Sequence, residues 1–172
     1  MNVLVLGIGN VLLMDEGVGV KAVEELERKF AFPDGVELLD GGTSGMELLS
    51  AIANRDYLII IDAVKSGQPP GTVVRFEGSE VPSVFRTRIS PHQLGLSDLL
   101  AALILIDELP DKLVLFGVEP GEIETGFNFS EEVEANFEKL LNAVVDELHV
   151  IGMTPIPAEN PQGKTASLWA HG

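Results

Sequence analysis

Val3-Leu4-Val5-Leu6-Gly7-Ile8-Gly9-Asn10 opens the chain with an uninterrupted apolar run, closed by a glycine-rich turn. A strand with one wet face would alternate apolar and polar residues. A run without alternation predicts a strand buried on both faces, as in a parallel sheet covered by helices. The segment has no basic n-region and is far too short to cross a bilayer, so it is read as the first strand rather than as a targeting signal.

The same alternation of strand and helix continues outward from this run. Asp15 is expected to cap a helix reaching about Phe30, with Val18, Val20, Ala22, Val23 and Leu26 on its buried side. Pro33-Asp34-Gly35 turns the chain into a strand from Val36 to Leu39, followed by Asp40-Gly41-Gly42-Thr43-Ser44-Gly45 and a short helix to about Ala53. Tyr57 to Ile61 is the most hydrophobic strand and Asp62 ends it. Thr72 to Phe76 and Lys112 to Val118 read as two further strands, with a less regular acidic stretch after the first of them. Ser90-Pro91-His92-Gln93 reads as a helix start, with Ser90 as N-cap, proline in the first turn and glutamine three residues on. A last amphipathic helix is expected over roughly Ser130 to Leu148. These elements predict one α/β domain over residues 1–152, with a mostly parallel five-stranded sheet between helix layers. Residues 153–172, which contain three prolines, are expected to form a docked or disordered tail.

With 172 residues and 45% hydrophobic content, the chain is long enough for one full core. It has no cysteine, which excludes disulfides, a thiol nucleophile and Cys-based metal sites, and fits a cytoplasmic protein. A net charge of −16 argues against nucleic acid and anionic membranes as partners, and nothing demands more than a monomer.

Glu16, Asp62 and His92 each fall where a strand gives way to a loop or a helix start. In a parallel sheet those places share the carboxyl edge, where ligands bind. Two carboxylates and an imidazole there form either an acid/base cluster or a site for a divalent ion such as nickel, zinc, manganese or iron. Three protein ligands would leave coordination positions open. His92 lies beside the positive end of a helix dipole, which predicts a neutral ring. Asp40 either orders its glycine-rich turn or borders the cleft.

Competing motifs are weaker. Gly7-Ile8-Gly9-Asn10-Val11-Leu12 lacks the third glycine of a dinucleotide fingerprint, and Asp15 and Glu16 would repel a pyrophosphate. Gly42-Thr43-Ser44-Gly45-Met46 lacks the last glycine of a nucleophile elbow. His149 and His171 have no comparable setting.

Taken in order, Gly7-Ile8-Gly9-Asn10, Leu13, Asp15 to Gly19, the Asp40 to Gly45 loop, Ile61-Asp62-Ala63 and Ser90 to Leu94 resemble the maturation endopeptidases of [NiFe]-hydrogenases, in the uptake-enzyme branch. The similarity runs to about Pro157. It implies a three-layer α/β/α sandwich and removal of a C-terminal extension from the hydrogenase large-subunit precursor after nickel insertion. It also implies metal contacts at Glu16, Asp62 and His92 and a role in cleavage for Asp40, with the nickel being that of the precursor. A non-catalytic nickel checkpoint or chaperone for the same precursor is the alternative, and a nucleotide-binding α/β module is a third reading.

Overall fold

Every position of strand β4 (Tyr57–Ala63) is buried, as are all six of β1 (Val3–Ile8). The computed structural model describes residues 1–86 and 91–159, and it explains the missing alternation. Val3, Val5, Ile59 and Ile61 face one apolar cluster, while Leu4, Leu6, Leu58 and Ile60 face another. The period of two persists; both faces are simply covered.

The first cluster is closed by α1 (Val18–Lys29) and α5 (Glu131–Val150), through Val18, Ala22, Leu26, Leu140 and Val144. The second is closed by α2 (Leu49–Ile52), α3 (Glu80–Arg86) and α4 (Pro91–Leu105), through Ile52, Phe85, Leu96, Leu99 and Leu103. Between them lies a five-stranded sheet. Adding β3 (Val36–Gly42), β5 (Val73–Glu77) and β6 (Lys112–Val118), its order is β3-β1-β4-β6-β5. All neighbours are parallel except β5, which runs antiparallel to β6 at the edge. The expected α/β/α sandwich with a mostly parallel sheet is therefore present.

Two local readings change, one is resolved and two lie outside the described residues. Asp15 does not cap α1: a 3-10 turn, Met14–Gly17, precedes the helix, and Gly17 occupies the cap without a side-chain bond. The irregular acidic stretch contains α3, a short helix held by buried Val81 and Phe85. Part of the tail is docked, because β7 (Ile156–Pro157) pairs antiparallel with β2 (Phe30–Ala31). Ser90, expected as an N-cap, and the tail from residue 160 lie outside the described residues.

From β1 the chain crosses to β3 on one side, and from β4 it proceeds to β6 on the other. The strand order thus reverses between β1 and β4, which opens a crevice at their carboxyl ends. Helix α1 lies very close to that edge. A Cβ on Gly19 would sit 2.0 Å from the Ile61 carbonyl oxygen and 2.5 Å from that of Ile8, so only glycine permits the approach. Replacing Gly19 with alanine is expected to destabilise the protein by about 2 kcal/mol or more, the upper range of core overpacking. A urea midpoint equal to wild type would show that the close approach is not required.

Candidate functional site

The register of β4 decides which way its last polar residue points. Leu58 and Ile60 face α4, so Asp62, two residues further on, faces the same helix. Its carboxylate is fully buried. Oδ1 accepts the Ala63 N–H at 2.8 Å, and Oδ2 accepts from the Gln93 side-chain amide at 2.9 Å. Gln93 also donates to the Ala63 carbonyl at 2.9 Å, so this one side chain ties α4 to the end of β4.

His92, the second residue of α4, completes the group. Nε2 stands 3.5 Å from Asp62 Oδ2, and Nδ1 stands 3.0 Å from Glu16 Oε1. The imidazole thus lies between the two carboxylates, one ring nitrogen turned toward each. Side-chain exposure rises outward, from 0% at Asp62 to 3% at His92 and 16% at Glu16. Glu16 forms the mouth of the crevice. The three residues selected by sequence are together, yet they do not surround an empty point. Among the described residues no group of three His, Cys, Asp or Glu side chains has the arrangement of a metal shell. The donor set itself, two oxygens and one imidazole nitrogen, fits a borderline divalent ion.

Electrostatics opposes the helix-dipole effect expected from the sequence. Burial alone would lower the His92 pKa, but the hydrogen bond and charge of Asp62, with the charge of Glu16, outweigh it and raise it above the ordinary value. Asp62 is also raised, mainly by burial, against the opposing pull of His92, Gln93 and the Ala63 N–H. Both directions favour proton retention by the pair, which titrates as a unit.

Asp40 stands at the end of β3, exposed, with Oδ1 accepting the Gly42 N–H at 2.9 Å. It orders its own turn and lies outside the buried cluster. The loop that follows nevertheless borders the crevice. Gly42 accepts from the Gly9 N–H at 2.7 Å, and a Cβ on Gly45 would stand 3.4 Å from Gly95 Cα in the first turns of α4. Gly9 itself has a φ of +135°, and a Cβ there would sit 1.9 Å from the Glu16 carbonyl oxygen. This glycine pattern serves close packing rather than phosphate binding. His149 lies at the far end of α5 against Thr154, 2.9 Å away.

Three contributors were not assigned to the site from sequence. Asp15 is fully buried: Oδ2 accepts from Gly121 N, Glu122 N and Ser130 Oγ, and Oδ1 from Ser130 N, all at 2.7–2.8 Å. It clamps the loop after β6 to the turn that carries Glu16. Gln93 positions Asp62. Glu119, buried just past β6, accepts from Ser66 N at 2.6 Å and Ser66 Oγ at 2.9 Å, and so holds the loop after β4. Its strand-end placement is the signal that had selected Asp62.

Comparison with known proteins gives a consistent picture. Residues 20–147 match the hydrogenase maturation protease family profile. The chain is 50% identical over 160 residues to the hydrogenase 2 maturation protease of Escherichia coli K12, covering 92% of this chain and 98% of that protein. It is 42% identical over 160 residues to the hydrogenase expression/formation protein HupM of Azotobacter chroococcum, covering 92% and 77%. The solved structure of the E. coli hydrogenase maturating endopeptidase HybD superposes with a TM-score of 0.89 at 50% identity, over 91% of this chain and 98% of that one.

The His92 assignment has a direct spectroscopic consequence. Because its folded pKa lies above the unfolded value of about 6.5, protonated His92 stabilises the fold fully below that value. The contribution fades as pH climbs through the folded pKa. In metal-free protein the His92 ring signals should titrate above pH 6.5 by NMR, and Asp62→Asn should lower that midpoint. A midpoint below 6.5 in the wild type would mean that burial, not the carboxylates, dominates.

Proposed function

The chain belongs to the hydrogenase maturation protease family, and from that premise we propose that it is the endopeptidase that removes the C-terminal extension of a [NiFe]-hydrogenase large-subunit precursor after nickel insertion. One observation supports the reading: His92 stands between Glu16 and Asp62 at the crevice where the strand order reverses. A cleavage site gated by substrate-borne nickel needs oxygen and nitrogen donors at the place where the peptide binds. This chain offers them there.

The residues divide the work. Asp62 is fixed from two sides by Gln93 and the Ala63 N–H, so it holds its direction without substrate. His92 is oriented between the carboxylates. Glu16, the most exposed of the three, is the side chain that a nickel ion seated in the precursor would meet first. Contact of the precursor's nickel with this group reports that loading is complete and fixes the neighbouring peptide against the crevice. Holding the reacting groups in place supplies much of the rate, since well-oriented groups reach effective molarities of about 10⁵ M or more. Hydrolysis also needs a water whose proton is removed as its oxygen attacks the carbonyl carbon. We assign that proton to Asp40, an exposed carboxylate on the same sheet edge, which returns it to the leaving amine nitrogen as the C–N bond breaks. Its Oδ1 is committed to the Gly42 N–H, and Oδ2 is the oxygen we assign as base.

The first test is the intact mass of precursor, with and without nickel, after incubation with the protein alone. Loss of a C-terminal peptide only from the nickel-loaded form is expected, with His92→Ala abolishing it. Full-rate cleavage by His92→Ala would overturn nickel recognition through this residue. Tight binding without any mass change would instead favour the checkpoint or chaperone reading.

Asp40→Asn separates base chemistry from turn structure, because the amide oxygen can still accept the Gly42 N–H. A fall in kcat of about 10²-fold or more, with precursor binding preserved, is expected for loss of a general base. An unchanged kcat would confine Asp40 to ordering its turn.

A further inference from the structure

Large apolar side chains are exposed at the crevice in a pattern that the metal contacts leave unused. Leu12 is 52% exposed, Met46 52%, Leu94 46% and Ile123 42%. They come from four separate places that the topology brings to one edge. Leu12 follows β1 by four residues, Met46 follows β3 by four, and Ile123 follows β6 by five, and these three strands are mutually parallel within the sheet. Leu94 lies two residues beyond His92. Single exposed apolar residues are ordinary, but four converging from separate elements on one site mark an interaction surface.

Two links fix their grouping. The Gly126 N–H donates to the Leu12 carbonyl at 2.9 Å and the Asp15 N–H to that of Glu122 at 3.1 Å, which brings the loop carrying Ile123 against the turn carrying Leu12. The approach of Gly45 to Gly95 places Met46 beside Leu94. The first pair belongs to the loops after β1 and β6, the second to the 3-10 turn after β3 and the first turn of α4. Around them the exposed charges are Glu47, Asp98, Glu122 and Glu124, against Lys65 alone among the described residues of these loops and the start of α4.

We propose that Leu12, Met46, Leu94 and Ile123 form an apolar rim that seats an extended segment of the precursor beside the scissile bond, a segment with apolar side chains flanked by lysine or arginine. This rests on the endopeptidase reading above. Its occupant follows from continuity with the cleavage site and from complementarity to the surrounding carboxylates. The rim sets which peptide is held, while Glu16, His92 and Asp62 set when it is cut. Its residues are therefore specificity-determining, and their loss acts on KM.

The test uses nickel-loaded precursor and two double variants, Leu12→Ser/Ile123→Ser and Met46→Ser/Leu94→Ser, each checked by thermal melting. KM is expected to rise about tenfold or more with kcat within about twofold, the discrimination expected of lost apolar pocket contacts. Leu105→Ser is the control: it is 86% exposed but lies about 20 Å along α4 from His92, and it should leave KM unchanged. Unchanged KM in both double variants, or a fall in kcat alone, would overturn the rim. Should a double variant fail to fold, its single substitutions are read in the same way. Should the wild type cut no precursor, the endopeptidase reading fails separately. Calorimetric binding of the precursor's C-terminal peptide to wild type and variants then decides the rim: weaker binding in the variants supports it, and equal binding overturns it.

Discussion

The carboxylate of Asp62 is fully buried at the end of the central strand, and the site is organised around satisfying it. A buried charge without partners costs several kcal/mol, so the fold must bring donors to it. One donor is local, the Ala63 N–H. The other, Gln93, arrives from a helix some thirty residues later in the chain, which also brings the His92 ring to 3.5 Å. Helix α4 cannot slide or rotate on the sheet without taking the Gln93 donor from Asp62 Oδ2. Its apolar face, through Leu96, Leu99 and Leu103, supplies the adhesion, and the Asp62 network supplies the register.

A second buried carboxylate performs the matching task on the other side of the crevice. Asp15 draws four hydrogen bonds from Gly121, Glu122 and Ser130, which pins the loop after β6 onto the 3-10 turn after β1. Because Asp15 is turned inward and held, the adjacent Glu16 is directed into the crevice. Gly9 and Gly19 let this turn and α1 press against the sheet edge. The mouth of the site is therefore set by backbone packing and by one clamped neighbour, not by contacts of Glu16 alone.

Much of this was legible in the sequence because the strands are apolar on both faces and end in polar or glycine residues at one edge. Glu16, Asp62 and His92 could be placed by topology before any contact was known. What escaped was long-range. An aspartate ahead of a helix looks like a cap, and nothing local shows that Asp15 serves a loop over a hundred residues away. Gln93 had a sufficient local explanation in a capping box, which hid its bond to Asp62. The upward pull on the His92 pKa was not legible because the helix dipole is visible in sequence whereas the flanking carboxylates are tertiary. Helix α3 was missed for the opposite reason. Its sequence is acidic at the start and contains Pro82, and it is the burial of Val81 and Phe85 that holds it helical.

The gradient of exposure across the three side chains bears on what kind of metal contact this group suits. Asp62 and His92 are preorganised and dry, so little ordering remains to be done when a ligand arrives. Glu16 is partly exposed and is held by His92 at 3.0 Å, so an incoming ion must compete with that contact. Imidazolium and metal also compete for the same nitrogens, and the raised His92 pKa strengthens the proton's side. Under the proposed function this competition favours an ion carried in by the precursor over one held by this chain alone.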